Sequence, residues 1–62
     1  MINRQHARIL IVDDIEDNRF TLERRLKRDG FENIFMAENG TIALELVKKQ
    51  DFDLLLLDLM MP

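Results

Sequence analysis

The chain contains no cysteine, no tryptophan and no tyrosine, and only one proline and two glycines among its 62 residues. Without cysteine, neither a disulfide framework nor a thiolate metal site can reinforce a small core. A chain this short buries only about 60% of the surface that its unfolded form exposes, so its stability has to come from packing. Long apolar runs are also missing. The longest, Leu54 to Leu57 among them, fall far short of the ~20 residues that cross a bilayer, and the N-terminus has no signal-peptide pattern. These absences predict a soluble, cytoplasmic chain with no membrane partner. A strong excess of one charge is lacking too: 12 acidic against 9 basic side chains leave a net charge of -3, too mild to imply a nucleic-acid or membrane partner by bulk charge.

What is present is local polarisation. Arg19, Arg24, Arg25, Lys27 and Arg28 fall in one segment, and Asp13, Asp14, Glu16 and Asp17 crowd just before it. Residues 1–7 are polar and aperiodic and are expected to form a flexible tail, with the lone His6 solvated rather than a ligand. Arg8 to Asp14 reads Arg-Ile-Leu-Ile-Val-Asp-Asp. This apolar run without alternation predicts a strand covered on both faces, as in parallel sheets. From about Glu16 to Asp29 the period becomes helical, with Ile15, Leu22 and Leu26 on the core side, Phe20 off that line and Gly30 as the stop. The acidic start and basic end of this helix complement its dipole. Asn33 to Ala37 gives a second short strand. Asn39 is placed to cap a second helix carried by Ile42, Ala43, Leu46 and Val47 and ending near Gln50. Leu54 to Leu57 forms a third strand, followed by Asp58-Leu59-Met60-Met61-Pro62. The expected fold class is α/β, a βαβαβ half of a doubly wound parallel sheet. Right-handed crossovers give strand order 2-1-3.

In such sheets ligands bind beyond the carboxyl ends of the strands, where strand order reverses. The proposed topology brings Asp13 and Asp14 after strand one together with Asp58 after strand three. Three adjacent carboxylates repel unless a cation neutralises them, and hard oxygen donors with bound water suit Mg²⁺ or another divalent cation. A carboxylate beside such a cation can act as a nucleophile toward phosphorus. For any one of these residues alone the plainer role is a turn former or helix cap, and Asp14 or Asp17 could cap the first helix. The joint pattern favours a functional site.

Ile9 to Asp14, Asp17-Asn18-Arg19, Glu38-Asn39-Gly40 with Ala43-Leu44, and Asp58 to Pro62 together resemble bacterial response-regulator receiver domains of two-component signalling. The resemblance covers essentially the whole chain. It implies that Asp58 accepts phosphate from a sensor histidine kinase or phosphotransfer protein, that Asp13 and Asp14 help bind Mg²⁺, and that the Met60 backbone carbonyl also coordinates it. It implies a phosphoacceptor signalling domain rather than an enzyme. A different phosphoryl-transfer family places a second aspartate two residues after its nucleophile, where this chain has Met60. One departure from the receiver pattern is Ile42, where many receivers carry a glutamate that completes a capping box. A larger one is length, since a complete receiver is about twice as long. The resemblance therefore implies that residues 8–62 are the N-terminal half of a receiver domain, without the later hydroxyl residue and lysine that contact the phosphoryl group. Phosphotransfer by this half alone is expected to be impaired. Its uncovered third strand and helix-binding surfaces predict completion of the fold by self-association. The alternative function is a non-catalytic, homodimeric binding or scaffold module. Nucleic-acid binding through the basic segment is disfavoured, because that charge is accounted for as a solvated helix face.

Overall fold

A computed structural model describes residues 3–57. Its elements run β1 (Arg8–Val12), α1 (Glu16–Arg28), β2 (Asn33–Ala37), α2 (Gly40–Lys49) and β3 (Leu54–Leu57). The three strands are parallel in the order β2-β1-β3, as expected from the sequence. This is half of a flavodoxin-like sheet. β1 lies at the centre, flanked on both edges, and is the strand buried on both faces: Ile9, Leu10 and Ile11 are fully buried and Val12 nearly so. Each such side chain contributes roughly 1.5–3 kcal/mol on burial. On one face Leu10 and Val12 pack with Ala37 and Ala43, and Phe35, Ile42, Leu46 and Phe52 close around them. Phe35 and Phe52 meet edge to face, with ring centroids 5.4 Å apart. Ile9 and Ile11 alternate to the opposite face, which right-handed crossovers assign to α1.

Local chemistry sets the helix ends. Asn39 caps α2, its side-chain oxygen accepting from the Ile42 N–H at 2.9 Å. Ile42 thus stands where a reciprocal glutamate would complete the box, and its side chain is instead packed against the core cluster. α1 ends in a Schellman turn, with the Phe31 N–H donating to the Leu26 carbonyl and the Gly30 N–H to the Lys27 carbonyl. Gly30 there has φ +100°, a conformation open to glycine at little cost. Neither Asp14 nor Asp17, the alternatives open in the sequence, caps α1: Ile15 occupies the N-cap position and no side chain caps it. Because Ile15 sits at the helix mouth rather than on its inner stripe, it is half exposed, as is Val47 on α2. Both were expected in the core. Phe20 is 55% exposed, in keeping with its place off the Leu22–Leu26 line.

From Asn3 onward the N-terminal segment makes polar contacts within itself and with the rest of the fold. The Asn3 carbonyl accepts from the His6 and Ala7 N–H groups, and its side chain accepts from the Gln5 N–H. Arg4 donates to the Asp29 carbonyl and lies over the Phe31 ring, while Asn33 donates to the Gln5 carbonyl. These ties are polar, so hydrophobic periodicity carries no trace of them. His6 is exposed.

β3 joins β1 in register from Ile9↔Leu54 to Val12↔Leu57. Asp53 clamps its start: its N–H donates to the Arg8 carbonyl, and its carboxylate accepts from the Arg8 N–H at 2.9 Å. Leu54, Leu55 and Leu57 are 44–54% exposed. Replacing Leu10 with alanine should lower stability by about 3 kcal/mol, whereas Leu55→Ala should cost well under half as much. Urea unfolding followed by circular dichroism reads both, and equal losses would contradict the central placement of β1.

Candidate functional site

β1 delivers its last apolar residue, Val12, to the carboxyl edge of the sheet, and the chain turns at once through Asp13 and Asp14. Asp13 is only 3% exposed. Its N–H donates to the Ala37 carbonyl at the end of β2, so sheet pairing runs one residue past the strand. Its Oδ1 accepts from the Ile15 N–H at 2.8 Å, closing an Asx turn that aims the backbone into α1. Asp13 thus takes the turn-forming role that the sequence allows to any one of these aspartates. Arg19, one turn into α1, donates through Nη1 to the Asp13 carbonyl. That guanidinium ties the helix to the strand end and places a positive charge beside the acidic turn. Arg19 was visible in sequence as part of Asp17-Asn18-Arg19, but nothing in that pattern shows which carbonyl it reaches.

Asp14 is exposed at the rim. Asp17 lies in the first turn of α1, where its charge favours the positive end of the helix dipole, and its carbonyl accepts from the Thr21 hydroxyl at 2.9 Å. Of the predicted site residues, Asp13 and Asp14 lie together on one turn, whereas Asp58 and Met60 lie outside the described residues. Among the described residues no three His, Cys, Asp or Glu side chains gather into a metal-binding group. The donors that are described fit a hard divalent cation. They are carboxylate oxygens, and the turn hydrogen bond engages only one oxygen of Asp13.

The acidic turn lies at the carboxyl end of the central strand, at the switch point where doubly wound α/β domains take their ligands. The chain belongs to the response regulator receiver domain family, whose pattern matches residues 9–62. It is 39% identical over 61 residues to chemotaxis protein CheY-3 of Vibrio cholerae, covering 98% of this chain and 47% of that protein. To the chemotaxis protein CheY of Bacillus subtilis it is 44% identical over 55 residues, 89% of this chain and 46% of the relative. The response regulator PleD of Caulobacter vibrioides is 45% identical over 56 residues, 90% of this chain and 12% of PleD. The chain therefore spans about half the length of the chemotaxis relatives it matches. No solved structure matches it. Receiver domains are phosphoacceptor signalling modules that generally bind Mg²⁺ at the phosphorylation site and interact with sensor histidine kinases or phosphotransfer proteins.

The geometry separates two roles of Asp13. Asp13→Asn keeps an acceptor for the Ile15 N–H and should leave stability within about 0.5 kcal/mol, while Asp13→Ala strands that donor and should cost roughly 1–2 kcal/mol. Thermal or urea unfolding distinguishes them, and an alanine variant as stable as the asparagine one would remove the turn from the account.

Proposed function

We propose that this chain carries the phospho-accepting half of a receiver domain, with Asp58 as acceptor and Asp13, Asp14, Asp58 and the Met60 carbonyl as ligands of Mg²⁺. The observation that supports this reading is the β1–β3 register. Val12 is aligned with Leu57, and these are the residues that immediately precede Asp13 and Asp58 in the sequence. A buried Asp13 at the end of the central strand adds to it. One carboxylate oxygen of Asp58 forms a bond to phosphorus as the phosphorus–nitrogen bond of a phosphohistidine breaks, and the departing imidazole takes up a proton. Mg²⁺, when bound, neutralises the carboxylates and the incoming phosphoryl oxygens. Asp13 holds the turn in place, Asp14 contributes charge at the rim, and Arg19 keeps the strand end and helix start together. The partner is a sensor histidine kinase or phosphotransfer protein, and the setting is cytoplasmic. Among the described residues no helix is long and apolar enough to cross a membrane.

The 62 residues alone are a slow acceptor, because the hydroxyl and lysine contacts implied by the receiver resemblance are not among them, and such charge stabilisation is worth several kcal/mol in rate. Acetyl phosphate with Mg²⁺, followed by intact mass, tests the site. Slow, metal-dependent addition of one phosphoryl group that disappears in Asp58→Asn is expected. Addition that persists in Asp58→Asn would remove Asp58 from its role, and rapid addition would refute the impairment.

A second reading, a homodimeric binding or scaffold module, draws on the half-exposed leucines of β3 and the open apolar groove of about 520 Å³ between β3 and α2. An unpaired, leucine-rich edge invites pairing with another copy. The isolated 62-residue polypeptide is accordingly expected to sediment as a dimer or larger at micromolar concentration, and a folded monomer would sink this association.

A further inference from the structure

The turn between β2 and α2 holds an asparagine followed by a glycine, Asn39-Gly40. In such a pair the glycine nitrogen can attack the asparagine side-chain carbonyl carbon, because the following residue has no Cβ to obstruct the approach. Whether a fold permits the reaction depends on what holds that nitrogen and that carbonyl. The chain has two glycines, each preceded by a side chain able to cyclise, and their surroundings differ. Gly30, after Asp29, donates its N–H to the Lys27 carbonyl at 3.1 Å within the Schellman turn. The Gly40 N–H stands at the first position of α2, where a helix leaves its donors without an intrahelical carbonyl. Among the described residues no acceptor takes it.

The carbonyl partner is set as well. Asn39 is exposed, and its side-chain oxygen accepts from the Ile42 N–H at 2.9 Å, a bond that polarises the carbon to be attacked. The same bond holds the carboxamide over the helix start, where the Asn39 backbone is extended, with φ -156° and ψ 173°. Attack needs rotation about the Asn39 Cα–C bond, so the first turn of α2 has to open. That turn is weakly held. It has no acidic residue to complement the dipole, it begins with glycine, the poorest helix former after proline, and Ile42 cannot return the second bond of a capping box. The plain role of Asn39 as a helix cap is present, and the free nitrogen and loose first turn are additional to it.

We propose that Asn39 is a site of spontaneous deamidation, gated by opening of the first turn of α2, and that its two products change the helix in opposite ways. The Gly40 nitrogen forms a bond to Asn39 Cγ, the bond from Cγ to the amide nitrogen breaks, and ammonia leaves with the proton given up by Gly40. Water then opens the cyclic imide. Addition at the side-chain carbonyl restores the ordinary backbone with aspartate at this position. Addition at the main-chain carbonyl gives an isoaspartyl link, in which the chain runs through Cγ. Aspartate caps as well as asparagine does and supplies the charge that the first turn lacks. The isoaspartyl link inserts a carbon into the backbone and displaces both Asn39 oxygens from the N–H groups they serve, those of Ile42 and Ala43. Either product adds a negative charge to the net -3, two residues after Ala37, whose carbonyl takes the Asp13 N–H. The new charge therefore arises on the edge of the sheet that carries the acidic turn.

The test holds the full chain at mildly alkaline pH, once in buffer with the fold verified by circular dichroism and once unfolded in urea. Tryptic peptide masses follow Asn39, and chromatography separates the aspartyl and isoaspartyl products. Conversion in buffer is expected to run about tenfold to a hundredfold slower than in urea, as for a reaction that waits on local opening. Asn3, Asn18 and Asn33, each followed by a residue with a side chain, should stay intact over the same time. Gly40→Ala retains Asn39 and has open space for its Cβ, and it should slow conversion about tenfold in both states. In hydrogen exchange the purified isoaspartyl form should lose protection at the Ile42 and Ala43 amides, whereas Asn39→Asp should keep it. Equal rates in buffer and urea, an intact Asn39 in the folded chain after well over roughly a hundred unfolded-state half-lives, indifference to Gly40→Ala, or an isoaspartyl form protected like the wild type would each overturn the inference.

Discussion

Everything in this fold depends on the need to keep β1 dry on both faces. Its four consecutive apolar side chains point alternately up and down, so no single covering layer can bury them. A helix on each face and a strand on each flank satisfy that demand, and the βαβαβ connection is the shortest chain path that supplies all four. The same constraint places the acidic turn. A strand buried on both sides must surface somewhere, and where it does the first polar residue, Asp13, is still almost wholly enclosed. Enclosure without a hydrogen bond would be costly, and the Asx turn into α1 meets that cost locally.

The parts of the structure legible in the sequence are those governed by apolar periodicity and by single-residue backbone chemistry. The Arg8–Val12 run announced a two-faced strand, Asn39 a cap and Gly30 a helix stop, and each took that part. What the sequence concealed depends on side chains reaching across the fold. Arg4, Gln5 and Asn33 fasten the N-terminal segment by polar bonds that no hydrophobic pattern records. Ile15 and Val47 have the composition of core residues, but one falls at the helix mouth and the other beside the open edge of β3. In the candidate site, the aspartate pair was legible as a pair. Its division into an enclosed turn-former and an exposed rim residue was not, because adjacent positions differ there only in the direction the backbone turns. Asp58 and Met60 rest on the sequence and the family alone.

The charge pattern of α1 serves its stability at both ends. Carboxylates at its start and cations at its end both favour the helix, and the two groups stand apart by the length of the element. The acidic end follows directly on the turn that Asp13 and Arg19 hold against β1. The basic end is left outward, with the Arg24 guanidinium carbon 5.9 Å from the Phe20 ring centroid.

β3 is a run of four identical residues, and such a run contains no code for its own alignment. Slid along β1 by a step, leucine would replace leucine on each face, and packing could scarcely tell the difference. Alignment is written outside the repeat, by the Asp53 carboxylate and amide gripping both backbone groups of Arg8. Asp53 is therefore the zero mark of a ruler laid along the sheet. By fixing one end it also fixes the other, where Leu57 comes to lie beside Val12, so an aspartate at one edge of the sheet aligns the opposite edge.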